Sequence, residues 1–378
     1  MHVLIAGAGL GGLCLAQGLR GAGISCAVYE RAGDLDRANY RLHLNADGGE
    51  ALRRCLPEQL HRLHLRTSRP TARRQFTLAL GPDLTEVARP HLGPPNGGPR
   101  PHAAADNASL RQILRTGIED AIRFDAPVAG YRADHSLVVL ELAGGRAVSG
   151  DVLVGADGID SAVRVARLPN LTPVDTGTWV GYGRVPLPAE LAARLPDAVF
   201  DGIAAIADGT GTLLTIGAWR PEQPVAAACA ELAPHARIDP TADYLTITGS
   251  LAGDDPPSEP AIAEAVRDWH PVVRELVDRI DPASFFVHRG RRLPVPPPWP
   301  AGRVTLLGDA IHATPPCFGA GANIALWGAA RLAEALRRAA RGETDPTTAI
   351  AGYESDLRDH VFPILRIAAG LRSPTGSR

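Results

Sequence analysis

Residues 2–30 read HVLIAGAGLGGLCLAQGLRGAGISCAVYE. The short apolar run from His2 to Ala6 predicts a buried strand, and the helical spacing of apolar residues from Leu10 to Arg20 predicts a helix. Glycines just beyond that helix end it. A second strand from Ile24 to Glu30 completes a strand, turn, helix and strand unit at the start of the chain.

The turn between the first strand and the helix has the pattern G-x-G-x-x-G, formed by Gly7, Gly9 and Gly12. The first glycine permits the tight turn, the second lets a pyrophosphate approach the backbone, and the third lets the helix and strand pack. The positive helix end attracts the phosphates, and Glu30 at the end of the second strand can accept hydrogen bonds from a ribose diol. We therefore predict a dinucleotide site that also includes Leu10, Gly11 and Arg31. The pattern alone leaves open whether it holds NAD or FAD.

Composition excludes several other classes of protein. The 378 residues carry a net charge of −2, and all 39 basic residues are arginine, so lysine-dependent chemistry such as a Schiff base is absent. The near-neutral charge argues against nucleic-acid binding. Five cysteines without a CxxC pair indicate neither a disulfide framework nor a zinc site, so we predict no metal and a reduced, cytoplasmic protein. No apolar run is long enough for a membrane span.

The middle of the chain alternates between helical and strand patterns. A helix is predicted from Asp106 to about Ile122, with Asp106 or Asn107 as its cap. The stretch from Thr176 to Phe286 differs, because alternating runs such as Thr178 to Arg184 and Thr212 to Trp219 predict a sheet with one covered face. A helix near Ala261 to Ile280 closes this stretch.

Two further motifs follow predicted strands. Residues 155–164 read GADGIDSAVR, and residues 308–312 read GDAIH, followed by PPCFGAGAN at 315–323 and a long apolar helix. The order and spacing of these motifs after the N-terminal glycine pattern resemble the FAD-dependent aromatic hydroxylases, the single-component class A flavoprotein monooxygenases typified by para-hydroxybenzoate hydroxylase. The resemblance covers the chain from Met1 to about Tyr353.

The resemblance implies an α/β fold in which a mixed-sheet substrate domain is inserted into a Rossmann-like FAD-binding domain of three layers with a mostly parallel sheet. The expected segments are 1–70, 102–175 and 287–370 for the FAD-binding domain, 71–101 and 176–286 for the substrate domain, and 371–378 for a flexible tail.

The resemblance also assigns roles to residues. Asp309 corresponds to the family aspartate that holds the FAD ribityl chain, and the glycine-rich loop that opens the last long helix faces the flavin ring. Asp157 lies near the FAD pyrophosphate, although it could simply cap the helix that begins near Ser161. His312 reads as a packed residue that holds the loop. The predicted cofactor residues of these segments are Arg41, Arg111, Asp157, Gly308, Asp309, Pro316, Gly319, Gly321, Ala322 and Asn323.

The implied reaction begins when NADPH or NADH reduces bound FAD. Dioxygen then adds to the flavin, and the resulting hydroperoxide oxygenates, most commonly hydroxylates, an aromatic or polyketide-like small molecule. No catalytic side chain is assigned, because the cofactor performs the difficult chemistry. The predicted substrate contacts are Tyr182, Arg184, Trp219, Cys317 and Phe318, and we expect a monomer or homodimer. Arg41 is a predicted flavin or substrate contact, with a surface arginine as the alternative.

The sequence is also compatible with other functions. Baeyer–Villiger insertion or epoxidation would use the same peroxide, and a Rossmann-type NAD(P) dehydrogenase would use the same glycine pattern. A redox-silent binding protein is suggested by two departures from the family pattern: Asn107 replaces an arginine that reaches FAD, and Trp327 and Gly328 replace an acidic pair. Without lysine, any positive charge near the cofactor must come from arginine, and Arg41, Arg111 and Arg164 are the candidates.

Overall fold

The computed structural model describes residues 1–35, 40–70, 75–89, 91–92, 103–134, 136–196, 198–253, 255–315 and 319–370. The strands within them are β1 (His2–Ala6), β2 (Ser25–Tyr29), β3 (Arg41–Leu44), β4 (Arg69–Pro70), β5 (Gln75–Leu80), β6 (Glu86–Ala88), β7 (His91–Leu92), β8 (Ala103–Asp106), β9 (Ile122–Arg123), β10 (Val128–Ala133), β11 (Val138–Leu142), β12 (Ala147–Gly150), β13 (Val152–Gly155), β14 (Val174–Pro186), β15 (Ile203–Ala207), β16 (Leu213–Trp219), β17 (Tyr244–Ser250), β18 (Phe286–Arg292) and β19 (Val304–Leu306).

The α-helices of the described residues are α1 (Leu10–Gly21), α2 (Ala46–Cys55), α3 (Glu58–Arg66), α4 (Asn107–Arg115), α5 (Ala162–Arg167), α6 (Ala189–Ala192), α7 (Ala198–Asp201), α8 (Val225–Leu232), α9 (Glu259–Ala265), α10 (Pro271–Asp278), α11 (Asp309–His312), α12 (Gly321–Ala340), α13 (Pro346–Asp356) and α14 (Phe362–Gly370). Short 3₁₀ turns span Glu119–Ala121 and Pro282–Ser284, and a π-helical segment spans Leu357–Val361.

A five-stranded parallel sheet forms the centre of the first structural unit. Its strand order is β19-β13-β1-β2-β9, and β1 lies in the middle between β13 and β2. Strands β1 and β13 are apolar and almost wholly buried, as expected for a parallel sheet covered on both faces, whereas β2 is exposed at Ser25 and buried only at Val28 and Tyr29. Helices α1 and α12 pack against each other over one face. The three motifs of the sequence begin at the carboxyl ends of β1, β13 and β19. Because these strands are parallel, the motifs lie at the same edge of the sheet.

A mixed sheet forms the second unit. Its order is β18-β14-β17-β16-β15-β5-β6, with β7 paired to β5, and only the β15–β5 pair is parallel. Strand β14 begins at Val174 and β18 continues to Arg292, so the sheet extends past the predicted segment limits of 176 and 286 on both sides. The mixed α/β architecture agrees with the predicted fold class.

The two faces of the mixed sheet differ in what covers them. One face, here called the helix face, is packed against α9 and α10 and is built from aliphatic residues such as Val185, Ile216, Leu245 and Ile247. The alternate residues form the cleft face, which is turned toward the first unit; it carries Tyr182, Arg184, Thr215, Thr246 and Thr248.

Two helix predictions need correction. The helix predicted from Asp106 to Ile122 ends at Arg115, because Gly117 adopts a left-handed φ of +82° just beyond it. The single helix predicted near Ala261 to Ile280 is two helices, α9 and α10. Pro271 lacks the amide hydrogen that a continuous helix would need and instead opens α10.

Candidate active site

The glycine turn after β1 is shaped by close contacts of the backbone. Gly7 has a φ of +101°, and a Cβ there would lie 2.3 Å from the carbonyl oxygen of Ala156. A Cβ on Gly12 would lie 2.1 Å from the carbonyl oxygen of Gly7. A Cβ on Gly9, in contrast, would have no neighbouring atom within 4 Å. The turn therefore needs Gly7 and Gly12 for packing and leaves free space beside Gly9, where a ligand can approach the backbone.

Glu30 closes this turn from the second strand. Its Oε2 accepts a hydrogen bond from the Ala8 amide at 2.7 Å, and its Oε1 accepts one from the Ala32 amide at 3.0 Å. Each carboxylate oxygen keeps a second lone pair for a ligand. The carboxylate is thus fixed at the turn with lone pairs that a ribose diol could use, whereas the neighbouring Arg31 is exposed.

Asp157 follows β13 and caps α5. It accepts hydrogen bonds from the Ser161 hydroxyl and, at 2.8 Å, from the Ala162 amide. The Ser161 side chain in turn accepts from the Arg164 amide at 2.9 Å. Burial raises the pKa of Asp157 although these hydrogen bonds act in the opposite direction. Capping is therefore its observed role, and a cofactor contact stays a prediction.

The third strand end carries Gly308 and Asp309. Gly308 has a φ of +67°, which turns the chain so that Asp309 opens α11. Asp309 is exposed to solvent, yet desolvation by the nearby protein raises the pKa of its carboxyl. A Cβ added to Gly321, the first residue of α12, would lie 3.7 Å from Asp309 Oδ1. The carboxyl group and the N-terminus of a 20-residue helix thus meet at one point.

Strand β3 connects this point to the cleft face of the mixed sheet. At its C-terminal end, Asn323 of α12 donates from Nδ2 to the His43 carbonyl at 2.8 Å and accepts from the Asn45 amide at 2.9 Å. At its other end, the Arg41 amide donates to Thr246 Oγ1 at 2.9 Å. Four residue steps of about 3.3 Å place these two anchor points about 13 Å apart. Strand β3 therefore links the start of α12 to the cleft face, and the region between them is here called the cleft.

The middle row of the cleft face borders the open part of this cleft. Tyr182, Thr248 and Thr215 lie side by side on adjacent strands and are all half-buried. Phe286 stacks on Tyr182 with ring centroids 5.0 Å apart, and Tyr40 packs against Tyr182 at 5.6 Å. An aromatic wall and two hydroxyl groups thus face the space beside the helix N-terminus.

Comparison with known proteins identifies the family. A family described as FAD binding domain matches residues 115–366, more than half of the chain. The chain belongs to this family. The match confirms FAD as the cofactor and resolves the choice between NAD and FAD that the glycine pattern leaves open.

Three similar proteins extend this result. A dual O-methyltransferase/FAD-dependent monooxygenase of Cercospora beticola is 33% identical over 392 residues, which cover 94% of this chain and 44% of the relative. The chain thus spans about half the length of that relative. An FAD-dependent monooxygenase of Trichoderma harzianum is 30% identical over 391 residues, which cover 100% of this chain and 92% of the relative. The crystal structure of a putative FAD-containing monooxygenase from Photorhabdus luminescens superposes with a TM-score of 0.80 at 30% identity over 98% of both chains.

The residues of this FAD-binding protein fit the cofactor at three places. The open space at Gly9 suits the pyrophosphate, the fixed carboxylate of Glu30 suits a ribose, and Asp309 beside the start of α12 suits the ribityl chain and the ring. Other predicted cofactor residues have mainly packing contacts. Gly11 packs against Ala325 and Leu307, and the Asn323 amide is engaged by β3 and α2. Leu10 and Ala322 are half-buried.

Two of the three predicted arginines have other tasks. Arg41 donates from Nε to the Ala218 carbonyl at 3.0 Å and from Nη2 to the Gly202 carbonyl at 3.3 Å, so it joins β3 to the mixed sheet. Burial lowers its pKa to about 10. Arg164 is fully buried and donates to the carbonyls of Leu171 and Ala310, which corrects its prediction as a charge for phosphates.

Arg111 is the arginine that lies at the glycine turn. Its Nη2 donates to the Ala8 carbonyl at 3.4 Å, one residue from the open backbone at Gly9. Asn107, which departs from the family pattern, is buried, and its amide donates to the Tyr40 carbonyl at 3.1 Å. Arg111 therefore lies beside the glycine turn, and its contact with the cofactor stays a prediction.

Gly328, the other departure, lies inside the packing of α12. A Cβ there would lie 3.0 Å from Leu307 and 3.4 Å from the Tyr353 hydroxyl. That hydroxyl donates to the Leu306 carbonyl at 3.0 Å. A glycine at this position lets α13 approach the edge strand of the parallel sheet, so Gly328 has a structural explanation.

His312 is enclosed in the protein. Its side chain is fully buried, and neither ring nitrogen has a hydrogen-bond partner among the described residues. Burial lowers its pKa to about 4, so the ring is neutral at pH 7. A neutral, enclosed imidazole is consistent with the predicted role of a packed residue that holds the glycine-rich loop, and it is unsuited to acid–base chemistry.

The predicted substrate contacts fall into separate groups. Tyr182 and Arg184 lie on the cleft face, and the Arg184 guanidinium lies 5.3 Å from the centre of the Tyr244 ring. Trp219 is fully buried and stacks on Tyr244, so its prediction as a lining residue is corrected to a position in the core between the two units. Gly319 has a φ of +64° and is the first described residue after position 315. Pro316, Cys317 and Phe318 lie outside the described residues.

Four residues of the cleft were missed from sequence, namely Tyr40, Thr215, Thr248 and Phe286. A signal for Thr248 was present, because the run YLTITGS at 244–250 alternates polar and apolar side chains. The polar positions of such a run lie on one face. Tyr40 and Phe286 reach the site through contacts between distant segments, for which the local sequence has no signal.

Proposed function

We propose that this flavoprotein is a monooxygenase that uses NADPH or NADH and dioxygen to hydroxylate an aromatic or polyketide-like small molecule. The observation that carries the proposal is that strand β3 joins the start of α12, where the flavin ring is expected, to the face of the mixed sheet that carries aromatic and hydroxyl side chains. The two anchor points on β3 are about 13 Å apart.

The residues of the chain would divide the work between cofactor and substrate. Glu30 and Asp309 would hold the ribose and ribityl hydroxyls, and the turn at Gly7, Gly9 and Gly12 would receive the pyrophosphate, with Arg111 beside it. When bound, FAD supplies the redox chemistry, so the protein needs to bind, orient and exclude water. The N-terminus of α12 would stabilise negative charge on the ring.

The cleft face would form the substrate site. Aromatic rings at Tyr182, Phe286 and Tyr40 favour a flat apolar molecule, because stacked and tilted ring contacts are favourable beyond the burial of area alone. Arg184 adds a positive charge at the inner end of this wall. The relative from Trichoderma harzianum, named an FAD-dependent monooxygenase, supports the reaction class, since the match covers 92% of its length.

The experiment is a turnover assay with the FAD-loaded protein. We expect 2-naphthol to accelerate NADPH or NADH oxidation, and one oxygen atom from ¹⁸O₂ to appear in a phenolic product by mass spectrometry. A protein that binds FAD but shows neither effect with any member of a panel of phenols and polyketide-like aromatics would be a redox-silent binding protein instead. Insertion of the label into an ester when an aryl ketone is supplied would establish the Baeyer–Villiger alternative.

No helix of the described residues combines the length and apolar character that crossing a membrane requires.

We further propose that the segments 1–70, 102–175 and 287–370 form the cofactor domain. Strands β14 and β18 of the mixed sheet extend into these segments, from Val174 and to Arg292, and these ends are assigned to the substrate domain. Size-exclusion chromatography with light scattering distinguishes a monomer from a homodimer.

A further inference from the structure

Thr215 and Thr248 form a hydroxyl pair on the cleft face. Their Oγ1 atoms lie 2.7 Å apart on adjacent strands, and both side chains are half-buried. Among the described residues, each hydroxyl has the other as its side-chain hydrogen-bond partner. The pair therefore lies at the border of the cleft with hydrogen-bonding capacity that the protein leaves unused.

The unused capacity follows from counting protons and lone pairs. Two hydroxyl groups have two protons and four lone pairs, and the bond between them uses one of each. One proton and three lone pairs remain. A site of this kind can donate to a ring oxygen and can also accept from a phenolic hydroxyl.

Other threonines near this sheet are engaged within the protein. Thr246 accepts from the Arg41 amide and is buried between β3 and the sheet. A second hydroxyl pair, Thr176 and Thr178, also has its oxygens 2.7 Å apart, but Thr176 Oγ1 donates to the Gly290 carbonyl at 2.8 Å. Both hydroxyl protons of Thr176 and Thr178 are therefore used within the protein. This pair has the same geometry as Thr215 and Thr248 but no free donor.

Aromatic rings lie directly beside the free pair. Tyr182 is the register partner of Thr248 on the neighbouring strand, and Phe286 is the register partner of Tyr182 on the next. The Tyr182 and Phe286 rings are stacked within 5° of parallel. A flat ring packed against this wall would place an oxygen substituent within reach of the hydroxyl pair.

We infer that Thr215 and Thr248 are the polar anchor that holds a phenolic hydroxyl or ring carbonyl of the substrate and so fixes which ring carbon faces the flavin. The inference rests on the proposed function, which it deepens. Thr215 and Thr248 are positioning residues for the ring. They select oxygen-bearing aromatics over plain hydrocarbons of the same shape.

The test measures binding and leaves turnover as a separate readout. The FAD-loaded protein is titrated with 2-naphthol and with naphthalene, and the dissociation constants are obtained from changes in flavin absorption. The variants are Thr215→Val, Thr248→Val and the double variant, because valine keeps the shape of threonine and removes the hydroxyl. Thr178→Val is the matched control from the saturated pair.

The double variant is expected to bind 2-naphthol about tenfold more weakly, which equals about 1.4 kcal/mol and the loss of one hydrogen bond. Each single variant should lose less, since the remaining hydroxyl keeps a proton. Naphthalene affinity should change less than twofold in all variants, and Thr178→Val should leave both probes unchanged. A shift in the ratio of hydroxylated isomers in the single variants would support the positioning role further.

Several results would overturn the anchor. Equal losses for naphthalene and 2-naphthol would mean that the pair only shapes the wall, and unchanged 2-naphthol affinity would mean that it makes no contact. A wild-type protein that does not prefer 2-naphthol over naphthalene would also overturn it. If the preference and its loss are observed without any turnover, the anchor stands and the proposed monooxygenase reaction is wrong.

Discussion

The two faces of the mixed sheet are built from alternate residues of the same strands, yet they differ in the chemistry of their side chains and in what covers them. On β17, Leu245 and Ile247 point to α9 and α10 and are buried to within 1%. Tyr244, Thr246 and Thr248 point to the other side, where the first two are buried against β3 and β8 and the third borders the cleft. One strand thus supplies a core, a joint between two units and a proposed binding surface.

The difference shows how stability and specificity can be separated within a few residues. The helix face is aliphatic, so its contribution comes from burial and close packing. The cleft face carries hydroxyl, phenol and guanidinium groups whose partners lie in the other unit or in a ligand. Substitutions on the helix face should therefore reduce the free energy of unfolding, whereas those in the open row should reduce binding.

Ile247→Ala should have the largest effect on stability. Ile247 is 1% exposed and packs in the cluster below α9 and α10, so its truncation leaves a cavity. We expect the free energy of unfolding to fall by about 2–5 kcal/mol. Urea denaturation followed by circular dichroism measures the change. A loss below about 1 kcal/mol would show that the helix face is not tightly packed.

Tyr244→Phe tests the joint between the two units. The Tyr244 hydroxyl donates to Asp106 Oδ2 at 2.7 Å, and both side chains are buried. A hydrogen bond to a charged group typically contributes about 1.5–3 kcal/mol, and we expect a loss in that range at pH 7. A loss below about 0.5 kcal/mol would show that this hydrogen bond does not stabilise the joint.

The same variant carries a pH signature. Burial, together with the nearby Asp106 carboxylate, raises the pKa of Tyr244 well above its usual value. Above about pH 10 the unfolded tyrosine loses its proton while the folded one keeps it, so stability falls as pH rises through this range. Tyr244→Phe should therefore lose less stability than the wild type between pH 9 and pH 11. Parallel curves would exclude this contribution.

Gly183→Ala should have a somewhat smaller effect on the helix face. A Cβ at Gly183 would lie 2.6 Å from Ile280 Cγ2, so the isoleucine must move. Overpacking of this kind costs about 1–3 kcal/mol. The measurement is the midpoint of thermal unfolding, with the double variant Gly183→Ala, Ile280→Leu as the control, because leucine keeps the size of isoleucine and lacks the Cγ2 methyl that clashes. If the second substitution does not restore stability, the clash is not with Ile280.

Thr248→Val should have the smallest effect on stability. Its hydroxyl bonds to Thr215 alone among the described side chains and borders the cleft, so the unfolding free energy should change by less than about 0.5 kcal/mol. Two substitutions at neighbouring positions, Ile247→Ala and Thr248→Val, are thus expected to differ strongly in their effect on the free energy of unfolding. A loss of more than about 1 kcal/mol would move Thr248 into the structural part of the sheet.

Much of the cofactor side could be predicted from sequence, because its geometry is set by short motifs. The glycine turn, the fixed Glu30 and the strand ends before Asp157 and Asp309 all follow from local patterns of apolar residues and glycine. The parallel sheet and the FAD-binding family were predicted for the same reason. Motifs of this kind act through the backbone, which the local sequence controls directly.

The substrate side could be predicted only in part. Arg41 and Arg164 looked available for ligands, but their partners are carbonyl groups more than 140 residues away in the case of Ala218 and Ala310. Trp219 sits on the predicted face but in the row that the other unit covers. The sequence shows which side chains share a face of a strand; it does not show which part of that face another segment will cover.

The contacts of Asn323 bear on how the protein matures during synthesis. Its side chain bonds to residues 278 and 280 positions earlier in the chain, at the end of β3. Ribosomes add about 5–20 residues per second, so Asn323 is synthesised on the order of 14–56 seconds after His43 and Asn45. The nascent N-terminal segment can form its glycine turn early, but the flavin cradle cannot close before α12 leaves the ribosome. Cofactor loading is therefore expected only after α12 has been synthesised and has left the ribosome.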